Sequence, residues 1–294
     1  MKRILAGLGL VLVAVVTAQA SDDAETLLGK AMRELATGES RGDTSAAERY
    51  LLAILEQEPD HLEAQWQLLV LRLAPTRDIP LSDRAESLAA FSAAFARVAQ
   101  KAKESKSAKD PGRDAFLHYM AARHAGFYND FEKALVEIDR AVGLQPRSAR
   151  YLKAKGELLI QSGQWNDDDA EIERGIGVLK EAREISRAIP DPFVGEDSYE
   201  FSLAEAFTGL SQPRWKDVIA HYQRYLEIGP KESVNYAYAL NNISLAYRRV
   251  GDCARARESA EKALALMKFG MAEWNKRYAD ACLEMQKSGL VALH

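Results

Sequence analysis

The five histidines are the residues of this sequence best suited to bind a metal ion or to carry a proton. They are His61, His118, His124, His221 and His294. None of them belongs to an H-E-x-x-H motif, and none lies at a ligand spacing from a cysteine. Zinc needs three or four converging ligands, but the two histidines that are six residues apart fall on different faces of a helix. The sequence therefore predicts no metal site and no cofactor.

The sequence gives no support for nucleophilic or nucleotide chemistry either. Its one G-x-S-x-G match, at residues 38–42, lies in a predicted loop between two helices and not after a strand, as a nucleophile elbow would. It contains no G-x4-G-K-[ST] and no glycine fingerprint after a predicted strand. The acidic run Asn166-Asp167-Asp168-Asp169 lacks the central glycine and the terminal glutamate of a calcium hand. We interpret this run as an insertion that caps the following helix. The sequence thus predicts no catalytic residues and a protein that is not an enzyme.

The spacing of apolar residues predicts pairs of short helices, and residues 240–264 show the arrangement most clearly. The first helix places its apolar residues on one face, namely Leu240, Ile243 and Tyr247. A tight turn follows at Gly251-Asp252. The second helix places small residues on one face, namely Ala256, Ala260 and Ala263. Such small side chains leave room for the backbone of a neighbouring helix.

This stretch resembles a tetratricopeptide repeat (TPR), whose pattern is W-x2-L-G-x2-Y, then A-x3-F, then P. A small or apolar residue heads each predicted second helix at positions 134, 175, 218 and 256, so the units are 41, 43 and 38 residues apart. Each spacing is the repeat period of about 34 residues plus a few inserted loop residues. Three predicted turns carry an aromatic residue, namely Phe131, Trp165 and Trp215. The fourth carries Cys253 instead.

The resemblance implies an all-α fold, a right-handed superhelical solenoid of helix-turn-helix repeats that share a continuous core. It covers nearly the whole chain after residue 20 and is strongest from Ala115 to Lys287. The predicted parts are a signal peptide at 1–20, degenerate N-terminal repeats at 21–110, TPR-like repeats at 111–269, and a closing helix with its tail at 270–294. A flexible joint is expected from Glu104 to Arg113, since this stretch is rich in Lys, Ser and Asp and contains Pro-Gly.

The first twenty residues have the pattern of a cleavable secretory signal. Lys2 and Arg3 precede an apolar run from Ile4 to Val16, and a small-x-small ending follows at Ala18-Gln19-Ala20. The alternative is an uncleaved anchor, which the shortness of the apolar run disfavours. We therefore expect a periplasmic or secreted protein with no transmembrane segment after residue 20. The formal net charge of −4 would become −6 on loss of the two basic residues, which argues against a nucleic-acid partner.

Cys253 and Cys282 are the two cysteines of the sequence, and export would allow them to form a disulfide. A chain reversal near Phe269-Gly270 would place them on neighbouring antiparallel helices. Adjacent helix axes lie about 8–10 Å apart, so only some rotamers close a bond. The alternative is a pair of small buried thiols.

The last repeat and the closing helix also offer candidate residues for peptide binding. These are Asn241, Asn242, Arg248, Arg249 and Lys276. The resemblance implies a concave groove lined by the first helices of the repeats, where a mixture of amide and cationic groups could hold a carboxylate of a partner protein. The alternative interpretation is an exposed charged helix face with no ligand.

The sequence therefore predicts an exported, non-catalytic scaffold or adaptor that mediates protein–protein interactions in an envelope, secretion or surface-structure assembly. Two other classes stay open at this point. One is an accessory or catalytic subunit in cell-wall or polysaccharide processing. The other is a repeat protein that binds a glycan or a small molecule.

Overall fold

The computed structural model describes residues 22–41, 44–73, 81–104, 111–191 and 194–288. Within these ranges the chain forms thirteen α-helices and no strand, which confirms the predicted all-α class. The predicted signal peptide and residues 105–110 of the predicted joint lie outside the described residues. The chain divides into two compact units. The first comprises the residues up to Glu104 without Glu39–Arg41, and the second comprises Glu39–Arg41 and the residues from Ser105 onward.

The first unit contains four helices, of which the third is packed against its two neighbours. The helices are α1 (Ala24–Arg41), α2 (Ser45–Gln57), α3 (Leu62–Leu73) and α4 (Leu81–Glu104). Trp66 of α3 is buried, and its ring centroid lies 6.1 Å from that of Phe91 and 6.3 Å from that of Phe95. These tilted and edge-on ring contacts join α3 to α4.

The second unit contains nine helices that pair along the chain. They are α5 (Pro111–Phe127), α6 (Phe131–Leu144), α7 (Ala149–Asn166), α8 (Asp169–Ala188), α9 (Glu196–Thr208), α10 (Trp215–Ile228), α11 (Val234–Arg249), α12 (Cys253–Leu266) and α13 (Gly270–Lys287). Helix α5 pairs with α6, α7 with α8, α9 with α10, and α11 with α12, and α13 packs on α12 and α11. We call α5, α7, α9, α11 and α13 the first helices, and α6, α8, α10 and α12 the second helices.

Three of the hairpin turns share one local design. The residue before the N-cap has a positive φ, which is 57° at Asn129, 54° at Asp167 and 82° at Gly251. An aspartate follows each of them, and its carboxylate accepts a hydrogen bond from a backbone N–H in the first turn of the second helix. Its own N–H donates to a carbonyl of the preceding helix, so the end of one helix and the start of the next are satisfied together.

The turn predicted at residues 163–165 is wrong, because α7 continues through Asn166. The acidic run supplies the turn itself. Asp167 adopts the left-handed conformation, and Asp168 accepts hydrogen bonds from the N–H groups of Ala170 and Glu171. Trp165 consequently lies in the last turn of α7 with 66% of its surface exposed. Phe131 and Trp215 directly follow their predicted turns and are the first residues of second helices.

Helices α7 and α8 approach each other unusually closely through glycines. A Cβ atom on Gly175 would lie 2.7 Å from the carbonyl oxygen of Gly156 and 2.6 Å from Cγ1 of Ile160. A Cβ on Gly156 would in turn lie 2.8 Å from Cγ of Leu179. Only a residue without a side chain fits at either position.

One apolar core runs through the second unit from α7 to α13. Its largest fully buried members include Leu203, Phe207 and Tyr222, which come from α9 and α10. Burying one such side chain contributes about 1.5–3 kcal/mol relative to leaving it exposed. The shared core holds the first helices side by side, and this alignment brings their polar residues together.

Candidate binding surface

Polar side chains of neighbouring first helices are joined by hydrogen bonds. We call this set the polar ladder, and its members are Arg123, Lys153, Glu157, Ser202, Glu205, Asn241, Asn242 and Asn275. They come from α5, α7, α9, α11 and α13 in turn. The polar ladder therefore marks a face that the first helices have in common.

Glu157 is the centre of the polar ladder between α5 and α9. Its carboxylate accepts hydrogen bonds from Arg123 at 3.4 Å and from the hydroxyl of Ser202 at 2.8 Å, and it also pairs with Lys153. Burial by itself would raise the pKa of Glu157, whose side chain is 21% exposed. The positive charges of Lys153 and Arg123 outweigh burial and, with these hydrogen bonds, lower the pKa to about 2. This carboxylate is ionised and internally paired at neutral pH.

The polar ladder continues between α9, α11 and α13 through amides. Asn242 donates to Glu205 at 2.9 Å and to the hydroxyl of Tyr222 at 3.0 Å. Asn275 donates to the side-chain oxygen of Asn241 at 2.9 Å and to its backbone carbonyl at 3.2 Å. Asn241 itself donates to Asn242 at 2.8 Å and is 2% exposed. Both predicted amides are thus engaged within the protein, where they hold α11 against α9 and α13.

Lys276 is likewise engaged within the protein. Its ammonium lies 3.0 Å from the carboxylate of Asp280 and 3.8 Å from that of Glu261. The first pair is within α13, and the second joins α13 to α12. Three of the five predicted binding residues, the two amides and this lysine, therefore have partners inside the chain.

Arg248 and Arg249 are different, because neither has a carboxylate partner among the residues that the structure describes. The guanidinium carbon of Arg248 lies 5.0 Å from the ring centroid of Tyr278, and that of Arg249 lies 5.8 Å from the ring of Trp215. Burial, and then the charge of Arg249, lower the pKa of Arg248. Within the described residues no acceptor reaches its buried Nε. Aromatic rings hold these two guanidinium groups in place, and their N–H groups can still donate hydrogen bonds to an anionic ligand.

Cys253 and Cys282 are joined by a disulfide in the structure, and their Cα atoms are 5.7 Å apart. This separation lies in the usual range of disulfides. Cys253 is the first residue of α12 and is fully buried, and Cys282 lies in α13. The side-chain amide of Gln286 also donates to the carbonyl of Gly251 at 2.8 Å. The closing helix is therefore tied to the last hairpin turn at two points.

A buried ion cluster at Glu200 was not predicted from the sequence. Glu200 is 2% exposed and accepts hydrogen bonds from Arg183 at 2.9 Å and from His221 at 2.6 Å. Burial would raise the pKa of Glu200, but the hydrogen bond and charge of His221, followed by those of Arg183, lower it. The signal in the sequence was a charge at an apolar position, since Glu200 precedes Leu203 and Phe207 at helical spacing. The cluster joins α8, α9 and α10.

Among the described residues no group of three or more His, Cys, Asp and Glu side chains could hold a metal ion. Asp169 is instead engaged with Ser211, from which it accepts a backbone hydrogen bond at 2.9 Å and a hydroxyl hydrogen bond at 2.5 Å. These bonds lower the pKa of Asp169. None of the described helices is long and apolar enough to cross a membrane.

Solved structures similar to this chain share its fold at low sequence identity. Yeast Tom70 is 14% identical with a TM-score of 0.51, and the match covers 83% of this chain and 51% of Tom70. BtubC from P. vanneervenii is 14% identical with a TM-score of 0.50, and the match covers 84% of this chain and 91% of BtubC. YrrB, a TPR protein with an unusual peptide-binding site, is 14% identical with a TM-score of 0.42 over 81% of this chain and 97% of YrrB.

No protein-family model matches the sequence, and no curated protein is similar to it. The likeness to Tom70 and BtubC shows the fold, which is an all-α, TPR-like solenoid of helical hairpins. This confirms the fold class predicted from the repeat pattern.

Proposed function

We propose that this protein is an exported, non-catalytic adaptor that binds an acidic segment of a partner protein at the last repeat. The observation that carries the proposal is the pair Arg248 and Arg249, whose charges have no carboxylate partner among the described residues. Other cations on the same face, such as Lys153 and Lys276, are paired with carboxylates of the chain. A carboxylate of the partner would supply the charge-assisted hydrogen bonds that the two arginines lack.

The polar ladder supports a segment lying along the first helices. Apart from the buried Asn241, its amides and carboxylates are half-buried and form a polar face, and a bound peptide backbone needs such groups for its own N–H and C=O groups. Export follows from the signal-like first twenty residues, so we place the adaptor in the periplasm or outside the cell, within an envelope, secretion or surface-structure assembly.

Site-specific photocrosslinking in intact cells tests the proposal. A photoreactive residue at Leu245, one helical turn beyond Asn241, should capture a protein partner. The same residue at Val136 of α6, which is 47% exposed on a second helix, should not capture it. The double variant Arg248→Glu/Arg249→Glu should lose the crosslinked partner, because its two carboxylates would repel an acidic segment that the arginines attract.

The matched control is Arg140→Glu/Arg147→Glu, which changes the net charge equally at exposed positions near the end of α6. This variant should keep the adduct. Capture that survives reversal of Arg248 and Arg249 would refute the assigned site. Crosslinking of a glycan, and not of a protein, to the photoreactive residue at Leu245 would refute the adaptor function and favour the glycan-binding class.

Cell fractionation with N-terminal mass spectrometry tests the export part separately. The expected result is a chain that begins at Ser21 outside the cytoplasm, since Ala18-Gln19-Ala20 is the predicted cleavage signal. Recovery of the protein in the cytoplasm with Lys2 and Arg3 still present would contradict export.

A further inference from the structure

The closing helix α13 carries an apolar stripe that no other described helix covers, although the guanidinium of Arg248 lies against the ring of Tyr278. Its large members are Met271, Trp274, Tyr278 and Met285, with exposed fractions of 58%, 58%, 49% and 44%. The exposed Ala281 completes the stripe. Every other first helix of this unit is covered by a second helix that follows it, as α12 follows α11. No helix follows α13 in the described residues.

The spacing of the stripe is that of a helix-pairing seam. Positions 271, 274, 278, 281 and 285 alternate by three and four residues, which is the a/d pattern of a coiled coil. The inward face of α13 is separate, since Ala272, Ala279 and Cys282 are buried against the chain itself. Helix α13 thus has two apolar faces, one used within the chain and one available to another helix.

The stripe is complementary to itself when two copies of α13 lie antiparallel. In that arrangement Trp274 of one copy meets Met285 of the other, and Tyr278 meets the small Ala281, so that large and small side chains alternate as packing requires. Each of these two contacts occurs twice in the dimer, because a two-fold axis makes both copies use the same surface.

The charges beside the stripe fit the same antiparallel register. Arg277 and Glu284 flank the seam at equivalent positions one heptad apart. The two-fold axis that pairs Trp274 with Met285 brings Arg277 of one copy beside Glu284 of the other, twice per dimer. Arg277 has no carboxylate partner in the described part of the chain, and its guanidinium carbon lies 6.0 Å from the ring centroid of Trp274 in the same stripe. The carboxylate of Glu284 bonds only the exposed Lys287 there. Both are therefore available for a pair between copies.

We propose that the protein self-associates through an isologous, antiparallel pairing of α13 with α13 of a second copy. This inference does not depend on the proposed adaptor function. Helix α13 has 18 residues and is about 27 Å long, so the seam should fall below the roughly 1,200 Å² of a standard interface. The dimer is expected to be weak and to form reversibly as the concentration rises.

Sedimentation equilibrium of the purified protein tests the proposal through its mass. Between about 1 µM and about 500 µM the mass should rise from one chain toward two, as expected for a weak interface. Trp274→Glu/Met285→Glu should remain a single chain over that range, and circular dichroism should show unchanged helicity because both side chains are exposed. A wild-type protein that stays a single chain, or a double variant that still dimerises, would overturn the proposal.

A charge swap tests the antiparallel register itself. Arg277→Glu alone and Glu284→Arg alone should each weaken association about tenfold, because two attractive exposed pairs become repulsive. The double variant should recover it. An equimolar mixture of the two single variants should also recover it, because the mixed dimer regains both opposite-charge pairs. Single variants that dimerise like the wild type, or a double variant or mixture that recovers nothing, would rule out this register.

Discussion

Opening the link between Cys253 and Cys282 should loosen one end of the second unit. The two cysteines are 29 residues apart in sequence, and closing a loop of that length stabilises a protein by about 3–4 kcal/mol in the chain-entropy model. Among the described helices, α13 packs mainly against α11 and α12. In a solenoid each element depends on its neighbours, so the loss should concentrate in α13 and leave the more distant hairpins folded.

Hydrogen exchange measured by mass spectrometry is the assay for this effect. The oxidised protein is compared with the protein under a mild reductant and with Cys253→Ala/Cys282→Ala. Amide hydrogens of α13 should exchange roughly 100- to 1,000-fold faster after reduction. This factor is the expected loss of stability converted into a ratio of the equilibrium constants for opening α13. Amide hydrogens around Gly156 and Gly175 serve as the internal control and should not change.

Two results would refute this reasoning. The unfolded, unreduced protein has no free thiol if the bond forms, so titration of two reactive thiols would remove its premise. Equal protection of α13 with and without reductant would show instead that the other contacts already hold the helix. Those contacts are the hydrogen bonds from Asn275 to Asn241 and from Gln286 to Gly251.

Three substitutions probe the interior of the second unit, each by denaturant unfolding. Glu157→Gln should cost about 1–3 kcal/mol at pH 7, since the pKa of this carboxyl is lowered to about 2. The Glu157 carboxylate contributes its full stabilisation above the pKa of the unfolded chain near 4.5, and this stabilisation is lost as the pH falls through about 2. The variant lacks this titrating group, so it should lose less stability than the wild type on acidification. Gly175→Ala should cost about 1–3 kcal/mol by overpacking against the facing carbonyl, whereas Gly177→Ala in the same helix has open space and should stabilise by about 0.5–1 kcal/mol. Glu200→Ala should cost about 3–5 kcal/mol because it removes the buried carboxylate that Arg183 and His221 share, while the exposed Glu184→Ala should change stability by less than about 0.5 kcal/mol.

Each of these substitutions has an outcome that contradicts its physical reason. A pH profile of Glu157→Gln parallel to that of the wild type would mean that this carboxyl does not titrate abnormally. Equal effects at Gly175 and Gly177 would mean that helix propensity, not close packing, governs both. A mild loss at Glu200, similar to that at Glu184, would mean that water reaches the ion cluster.

The hairpin plan could be predicted from the sequence because small residues recur where helices approach each other. Ala134 and Ala256 are fully buried in second helices, as their positions indicated. The turn near Trp165 is predicted too early in the chain, because Gly163 and Trp165 both fit inside the helix that continues to Asn166. The aspartate N-cap after a left-handed residue, as at Asp168, would have placed this turn correctly.

The partners of polar residues were much harder to predict than the helices. Helical spacing tells which face a residue occupies, but it does not tell which neighbouring helix meets that face. Asn241 was therefore expected in a groove, whereas Asn275 of α13, 34 residues later, accounts for its oxygen. Glu200 likewise finds Arg183 and His221 on two other helices, and neither pairing has a sequence pattern.

The polar ladder also has a mechanical consequence. Hydrogen bonds such as those of Glu157 and Asn242 join neighbouring first helices directly, whereas among the described helices no second helix packs closely on the next second helix. We expect the second unit to bend about the line of these bonds, so that second helices such as α10 and α12 separate or close while first helices keep their spacing. Helices α8 and α10 are the exception, because the Glu200 cluster joins both of them to α9. Spin-label distances between adjacent second helices should then be more broadly distributed than those between adjacent first helices, and Glu157→Gln should remove the difference at that point.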